Sequence, residues 1–269
     1  MSENTMEKWS SGSAYESYVG RWSRRVAADF VDWLAVEPGA TWADVGCGTG
    51  ALAATILARA NPAMVRGIDR SEAYATQARA GIRDARAQIE VGDACSLPWE
   101  ARAFDAVVSG LVLNFVADPD AMAAEMARVT RPGGMVALYV WDYADGMQMM
   151  RRFWDVAIEQ RPAASTLDEA ERFPLCQPGP LEVLLARAGL ASIVTRGIEI
   201  PTVFRDFDDY WAPFLSGQGP APSYLVSLPV AAQDAIREVL RSRLPTEPDG
   251  SIRMTARAWA VKGVVLAAA

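Results

Sequence analysis

Residues 41–50 read TWADVGCGTG, and ALAATILARA follows them. The short apolar run over 41–45 stops at glycine, so it reads as a buried strand. The stretch after it, residues 51–60, reads as a helix that ends at Asn61-Pro62. Gly46, Gly48 and Gly50 fall at the junction. Glycine there permits positive φ and lets a ligand come against the backbone. The helix start adds N–H groups with no partner inside the helix. This combination describes a backbone loop suited to a nucleotide-like ligand, without choosing the ligand. Gly46, Gly48 and Ala51 also satisfy a loose dinucleotide pattern, and a plain strand-to-helix turn uses the same residue types.

Strand and helix signals alternate on both sides of this loop. Residues 64–68 read as a second strand, and Ser71 caps a helix that meets Gly81. Residues 88–91 and 104–109 give the third and fourth strands. Asp118-Pro119-Asp120 opens a helix with a capping carboxylate, a proline in the first turn and a second acid near the positive helix end. That helix ends before Arg131-Pro132-Gly133-Gly134, and residues 135–140 give a fifth strand. The alternation implies right-handed crossovers and a parallel sheet covered on both faces. Further on, a helix at 181–188 closes at Gly189, a strand at 192–200 ends at Pro201, and 252–260 alternates like an antiparallel strand. About fifty residues rich in aromatics, Pro and Gly separate these two strands, with a helix at 230–244, and an insertion of that length is expected to be a lid rather than a structureless loop. Gly217–Pro222, GQGPAP, reads as a loop over the site. The expected organisation is an N-terminal helical cap over 1–40, a core over 41–200 and 251–266, and a helical lid over 201–250.

Composition narrows the chemistry. The chain has 269 residues, 51% hydrophobic, and a net charge of −7. Half-hydrophobic composition supports a full core. Acidic charge argues against general attraction to phosphate backbones, so no nucleic-acid partner is expected. RWSRR at 21–25 reads as a solvated helix face. Histidine is absent, which removes the commonest metal ligand and general base. Cys47, Cys95 and Cys176 have neither zinc nor disulfide spacing, and no metal is expected. With no signal peptide readable at the N-terminus and no apolar run long enough to span a bilayer, the expected location is cytoplasmic, without membrane insertion.

Two acids sharpen the loop. Asp69 closes the second strand, where a carboxylate can accept both hydroxyls of a ribose beside the first loop. Asp93, in Gly92-Asp93-Ala94, closes the third, where it can accept from an exocyclic amine while the N–H of Ala94 donates to a ring nitrogen. Together they would read a ribose and an adenine. ADVGCGTG (43–50), GIDRSE (67–72), VGDACSLP (91–98), FDAVVS (104–109) and RVTRPGG (128–134) resemble, in order, the motifs of class I S-adenosylmethionine-dependent methyltransferases. They are most similar to the small-molecule branch that includes the ubiquinone and menaquinone biosynthesis C-methyltransferases. The resemblance covers roughly residues 41–140. It implies a doubly wound, Rossmann-like α/β fold of seven strands in the order 3-2-1-4-5-7-6, strand 7 antiparallel, and S-adenosyl-L-methionine as cofactor. It also implies roles. Asp44 orients the loop, and the backbone near Gly46 and Gly48 meets the methionine moiety. Asp69 takes the ribose. Arg70 packs near the adenine, which Asp93 and Ala94 recognise. Gly110 and Leu111 lie by the methionyl group. YESYVGRWSR (15–24) resembles the N-terminal helix that closes over the cofactor, with Tyr18, Arg21 and Trp22 assigned there.

The sequence departs from this pattern where many relatives carry histidine after the fourth strand. Here the run is VLNF, with Asn114. An asparagine can position a substrate oxygen but takes no proton near neutral pH. Methyl transfer from a sulfonium is an in-line displacement, so the protein mainly aligns the nucleophile and excludes water. The catalytic candidates are Asn114, Asp142 and Tyr143, the last two as bases if the acceptor must lose a proton. Trp141, Trp154, Trp211 and Phe214 are the candidate substrate residues, within a larger aromatic and Met147, Met149, Met150 set suited to an apolar pocket; the same residues could instead fill the core of the insertion. The expected function is transfer of a methyl group to a small, partly apolar metabolite. Two other readings stay open: a nicotinamide-dependent oxidoreductase, and a protein that binds S-adenosylmethionine without catalysis. The sequence does not fix the acceptor or the oligomeric state.

Overall fold

The computed structural model describes residues 20–217 and 219–266. Its seven strands form one sheet in the order β3-β2-β1-β4-β5-β7-β6. The strands are β1 (Thr41–Val45), β2 (Met64–Asp69), β3 (Ala87–Val91), β4 (Phe104–Gly110), β5 (Thr130–Trp141), β6 (Leu190–Phe204) and β7 (Ile252–Val265). β1 to β5 pair in parallel, and β7 lies antiparallel against β5. The expected strand order and the antiparallel seventh strand are both present.

The helices that connect the parallel strands begin where local chemistry says they should. Between β1 and β2 runs α2 (Ala51–Arg59), entered through Gly50 at φ 88°. Ser71 caps α3 (Glu72–Gly81), its side chain accepting from the Tyr74 N–H. Asp118 accepts from the Ala121 N–H and Pro119 starts α4 (Pro119–Val129). Each cap satisfies an N–H that the helix cannot.

The register sets the height of the glycine loop. Asp44 pairs with Gly67 and Val45 with Ile68, so Gly46 lies level with Asp69. The N–H groups of Gly46 and Cys47 both donate to the Ile68 carbonyl. Gly46 has φ 74°, and a Cβ there would come within 2.6 Å of a Val112 methyl. Gly46→Ala is therefore expected to cost about 2–3 kcal/mol through left-handed strain and overpacking, read as a lowered urea midpoint with unchanged slope.

Several boundaries differ from the sequence expectation, among them those of β6 and β5. β6 does not stop at Pro201 but continues to Phe204. It is the last strand of the sheet, and an edge strand tolerates a missing N–H on its open side. β5 starts at Thr130 rather than 135, because Thr130 already pairs with Phe104; the register then shifts, and Ala106 pairs with Met135. Arg131-Pro132-Gly133-Gly134 thus forms an irregularity within the strand.

The described chain separates into two compact units. The sheet unit holds Ser23–Trp141, Leu175–Ile198 and 258–266. It takes in most of α1 (Arg21–Leu34), which the sequence assigned to a separate cap. Val26, Ala27, Phe30, Val31 and Leu34 are buried, a single apolar stripe at helical spacing, and the Phe30 ring meets Tyr139 of β5 at 4.7 Å. α7 (Pro178–Arg187) also belongs to this unit.

The aromatic unit holds 20–22, Asp142–Pro174 and Glu199–Arg257. Its helices are α5 (Gln148–Gln160), α6 (Glu169–Arg172), α8 (Phe207–Trp211), α9 (Pro220–Ser227) and α10 (Val230–Arg243). The sequence expectation kept 142–174 in the core and only 201–250 apart. Side-chain packing explains the difference: Phe153 of α5 stacks on Phe214 at 4.7 Å, and Trp154 meets Tyr224 at 5.4 Å. GQGPAP is no simple loop, since Pro220 begins α9. Among the described residues, no helix is long and apolar enough to cross a membrane.

Candidate active site

In open α/β sheets, ligands bind beyond the carboxyl ends of the strands where the strand order reverses. Here that point lies between β1 and β4. The glycine loop is on one side of it, and Gly110-Leu111 on the other.

Asp69 ties the loop together. One carboxylate oxygen accepts from the Gly48 N–H at 2.9 Å, and the other from the Ser71 N–H at 2.8 Å. The acid at the end of β2 therefore fixes both the loop after β1 and the entry to α3. Each carboxylate oxygen has a second lone pair, so the group keeps capacity for hydroxyl donors. Arg70, next to it, is exposed. Asp93 lies two residues past Val91, the partner of Asp69 in β3, which is roughly 7 Å further along the strand direction. One of its oxygens accepts from the Cys95 N–H at 2.9 Å, a turn that holds the exposed carboxylate beside the half-buried Ala94.

Asp44 is 1% exposed. Burial pushes its carboxyl up to about 7, a hydrogen bond from the Ala53 backbone opposes this, and the nearby Asp69 charge adds to it. Its Oδ2 is buried without a hydrogen-bond partner among the described residues. The Cys47 thiol is pushed far up by burial, with the Asp44 and Asp69 charges adding to the effect, so it is inert as a nucleophile. Tyr74, which the sequence did not single out, has its hydroxyl pushed up by burial and then by the Asp69 charge. Its position three residues after the Ser71 cap was the available signal.

Across the switch point, Leu111 adopts φ 61°, and its N–H donates to the Tyr139 carbonyl at 2.8 Å. The Tyr139 hydroxyl packs over Gly110, where a Cβ would approach it to 2.6 Å. Asn114 follows in a short 3-10 turn, and Trp141 ends β5, 2% exposed. All the cofactor candidates from Asp44 to Leu111, together with Asn114 and Trp141, thus lie in the sheet unit.

The remaining candidates lie in the aromatic unit. Asp142 is 1% exposed and ion-paired: one oxygen accepts from Arg257 Nε at 2.8 Å and from Nη2, the other from the Asp145 N–H at 3.2 Å. Tyr143 is buried against Phe173, its carbonyl accepting from Arg151, which also grips Asp168 through both of its Nη atoms. Trp154 is fully enclosed and donates its indole N–H to the buried Glu169. Trp211 and Phe214 pack with Tyr210, whose hydroxyl donates to the Met149 carbonyl. These rings and Met147, Met149 and Met150 are buried and build the core of the unit. Trp22 packs on Phe204 at 5.7 Å. Tyr18 and the Arg21 side chain lie outside the described structure.

The methyltransferase domain family matches residues 43–138. This stretch is similar to a methyltransferase domain. It spans β1 to the body of β5, and so contains the glycine loop, both acids and the Gly110-Leu111 turn. The 2-methyl-6-phytyl-1,4-hydroquinone methyltransferase of Synechocystis is 28% identical over 187 residues, 68% of this chain and 57% of that protein. A ubiquinone/menaquinone biosynthesis C-methyltransferase of Dinoroseobacter shibae is 39% identical over 109 residues, 39% of this chain and 43% of that protein. Among solved structures, Haemonchus contortus phosphoethanolamine N-methyltransferase 2, in complex with phosphomonomethylethanolamine and S-adenosylhomocysteine, aligns with a TM-score of 0.58 at 18% identity, covering 94% of this chain and 56% of that one. The chain spans only 34%, 57% and 42% of the first three curated relatives it matches. The domain's fold is the class I methyltransferase fold.

Proposed function

We propose that the protein is an S-adenosylmethionine-dependent methyltransferase acting on a small, partly apolar metabolite. The carrying observation is the placement of Asp69 and Asp93 at the carboxyl ends of adjacent strands, beside a glycine loop that Asp69 itself holds, inside a methyltransferase domain. The residues present fit the cofactor. A Cβ at Gly48 would meet none of the described residues within 4 Å, so these leave space beside the loop backbone. Asp44 offers a buried oxygen without a partner.

In this reading Asp69 accepts from the ribose hydroxyls, and Asp93 with the Ala94 N–H reads the adenine, beside Arg70. The backbones of Gly46, Gly48, Gly110 and Leu111 meet the methionine portion. When bound, the cofactor supplies a methyl group activated on a sulfonium. The chain's own task is alignment and exclusion of water. Because Asp142 is already engaged by Arg257 and Trp154, Trp211 and Phe214 pack ring against ring in the aromatic core, the reading places acceptor recognition on Asn114 and Trp141, whose buried nitrogens have no partner among the described residues. The relatives acting on hydroquinone- and quinone-type molecules support a small-molecule acceptor, and the −7 charge favours it over a nucleic acid. The three free cysteines fit a reducing cytoplasm.

Isothermal titration with S-adenosylhomocysteine is expected to show micromolar binding. Incubation with S-adenosylmethionine and a metabolite library is expected to yield a product heavier by one methylene, with S-adenosylhomocysteine released. NADH binding without S-adenosylhomocysteine binding would overturn the reading in favour of an oxidoreductase. Binding with no product across the library would reduce it to a cofactor-binding protein.

A further inference from the structure

Two nitrogen donors stand out at the carboxyl ends of β4 and β5. The Trp141 indole N–H and the Asn114 side-chain amide nitrogen are both buried without a hydrogen-bond partner among the described residues. A buried donor left unsatisfied costs about 1–3 kcal/mol, and such groups are uncommon enough in native proteins to call for an explanation. Trp42 Nε1 and Ser109 Oγ are in the same condition, but both sit within strands, with further strand residues between them and the carboxyl edge. Trp141 and Asn114 differ in place. Gly110 pairs with Tyr139, and Trp141 stands two residues further on, roughly 7 Å beyond that pair. Alternation along β5 puts Trp141 on the same sheet face as Tyr139, the residue packed over Gly110. Asn114 follows Leu111 in the next turn of chain. Both groups therefore belong to the carboxyl ends of β4 and β5, where the open sheet receives its ligand.

Their chemistry has a sign. An amide can rotate to offer either its NH2 or its oxygen, but an indole N–H can only donate. A ligand satisfying Trp141 must bring a lone pair. A protonated amine brings only donors and would leave the indole unpaired. The aromatic rings that would suit a cation are closed into the core of the other unit.

We propose that the methyl acceptor presents a hydrogen-bond-accepting oxygen (carbonyl, phenolate or carboxylate) to Trp141 Nε1 and the Asn114 amide, and that these two residues position it. This rests on the methyltransferase reading and names the acceptor class for it. Trp141 and Asn114 select an oxygen-bearing acceptor over a protonated amine of the same shape. Both groups lie under van der Waals cover, so the oxygen reaches them as that cover moves aside.

The test is a 1H–15N spectrum of the tryptophan indole groups in the S-adenosylhomocysteine complex. Trp141→Phe identifies the Trp141 signal by its loss. Matched aromatic fragments are then added at millimolar concentration, each pair sharing one ring and differing in carboxylate, phenol or carbonyl against ammonium. The expected result is a downfield shift of the Trp141 indole proton with oxygen fragments and none with their ammonium partners. Trp141→Phe and Asn114→Ala are each expected to weaken the responding fragment about tenfold, while S-adenosylhomocysteine affinity stays within about twofold of the unsubstituted protein. Trp141→Phe removes part of the ring along with the N–H, whereas Asn114→Ala leaves the indole in place, so a loss confined to the oxygen fragments in both variants reports hydrogen bonding and not packing. An unmoved Trp141 signal across all oxygen fragments, or an equal shift with the ammonium members, overturns the inference. Failure of S-adenosylhomocysteine to bind at all would overturn the cofactor reading instead.

Discussion

Asp69→Ala lowers S-adenosylhomocysteine affinity by at least about 100-fold in isothermal titration, because hydrogen bonds to a charged group contribute about 1.5–3 kcal/mol each and two ribose hydroxyls lose their acceptor. A second loss comes from the loop. The Asp69 carboxylate accepts from the N–H groups of Gly48 and Ser71, and alanine releases both. The two losses can be told apart. Asp69→Asn keeps one acceptor oxygen, so it holds one of the two N–H groups and falls between the other proteins. Binding of adenosine and 2′,3′-dideoxyadenosine isolates the ribose contact. The hydroxyls matter to the unsubstituted protein, and removing them should make no difference to Asp69→Ala. If the dideoxy compound loses the same factor in both proteins, Asp69 serves only the loop. An affinity within threefold of the unsubstituted protein would remove Asp69 from the site altogether.

The elements around Asp69 were readable from the sequence because local chemistry and tertiary structure agree there. Glycines end β1, Ser71 and Asp118 cap their helices, and β1 to β4 fall within a residue of the expected positions. Consistency of this kind across levels is what makes a sequence specify a fold. The motif RVTRPGG was readable as a pattern but not for its purpose. The Arg131 guanidinium pairs with Asp105, and Asp105 accepts from both the N–H and the hydroxyl of Thr41 at 2.7 Å. Gly134 is required because a Cβ would approach the Asp105 carbonyl to 2.8 Å. These residues clasp the starts of β1, β4 and β5, at the end of the sheet away from the ligand edge. The function of RPGG is therefore architectural.

Aromatic residues were the least readable. Phe153, Trp154, Trp211 and Phe214 have the same composition whether they line a pocket or fill a core, and only their mutual packing decides. Residues 142–174 were misplaced for the same reason. Nothing local in α5 says that its partners come from α8 to α10, some sixty residues on. Asp142 looked like a base because it follows β5; its engagement by Arg257, 115 residues away, is invisible in the local sequence. Trp141 and Asn114 show the opposite failing. Position nominated both, but only burial without a partner reveals what chemistry they lack.

Asp44→Asn is expected to make the ligand-free protein more stable at pH 8, and the sign follows from linkage. In the folded state burial holds the Asp44 carboxyl at about 7, against an ordinary value of 3.8. Below pH 3.8 the group is protonated in both folded and unfolded chains, and it draws no pH dependence from the transition. Between pH 3.8 and 7 the unfolded chain ionises while the folded one keeps its proton, so stability from this group falls as pH rises. Above pH 7 both are ionised and the loss is complete, on the order of 4 kcal/mol at 1.36 kcal/mol per unit. The Asp69 charge and the unpartnered Oδ2 explain why the folded site resists ionisation. Asparagine keeps the shape and an acceptor for the Ala53 backbone bond but has no charge to bury. The measurement is urea unfolding of both proteins at pH 5, 6, 7 and 8. Other carboxylates, such as Asp105 and Glu125, are held low by their partners, so their contribution changes only below the ordinary carboxyl values and stays constant over this range, and the difference between the two proteins isolates Asp44. That difference should grow in favour of Asp44→Asn up to pH 7 and then level off. A difference that is flat with pH would mean that the buried carboxyl ionises in the folded protein as readily as in the unfolded chain.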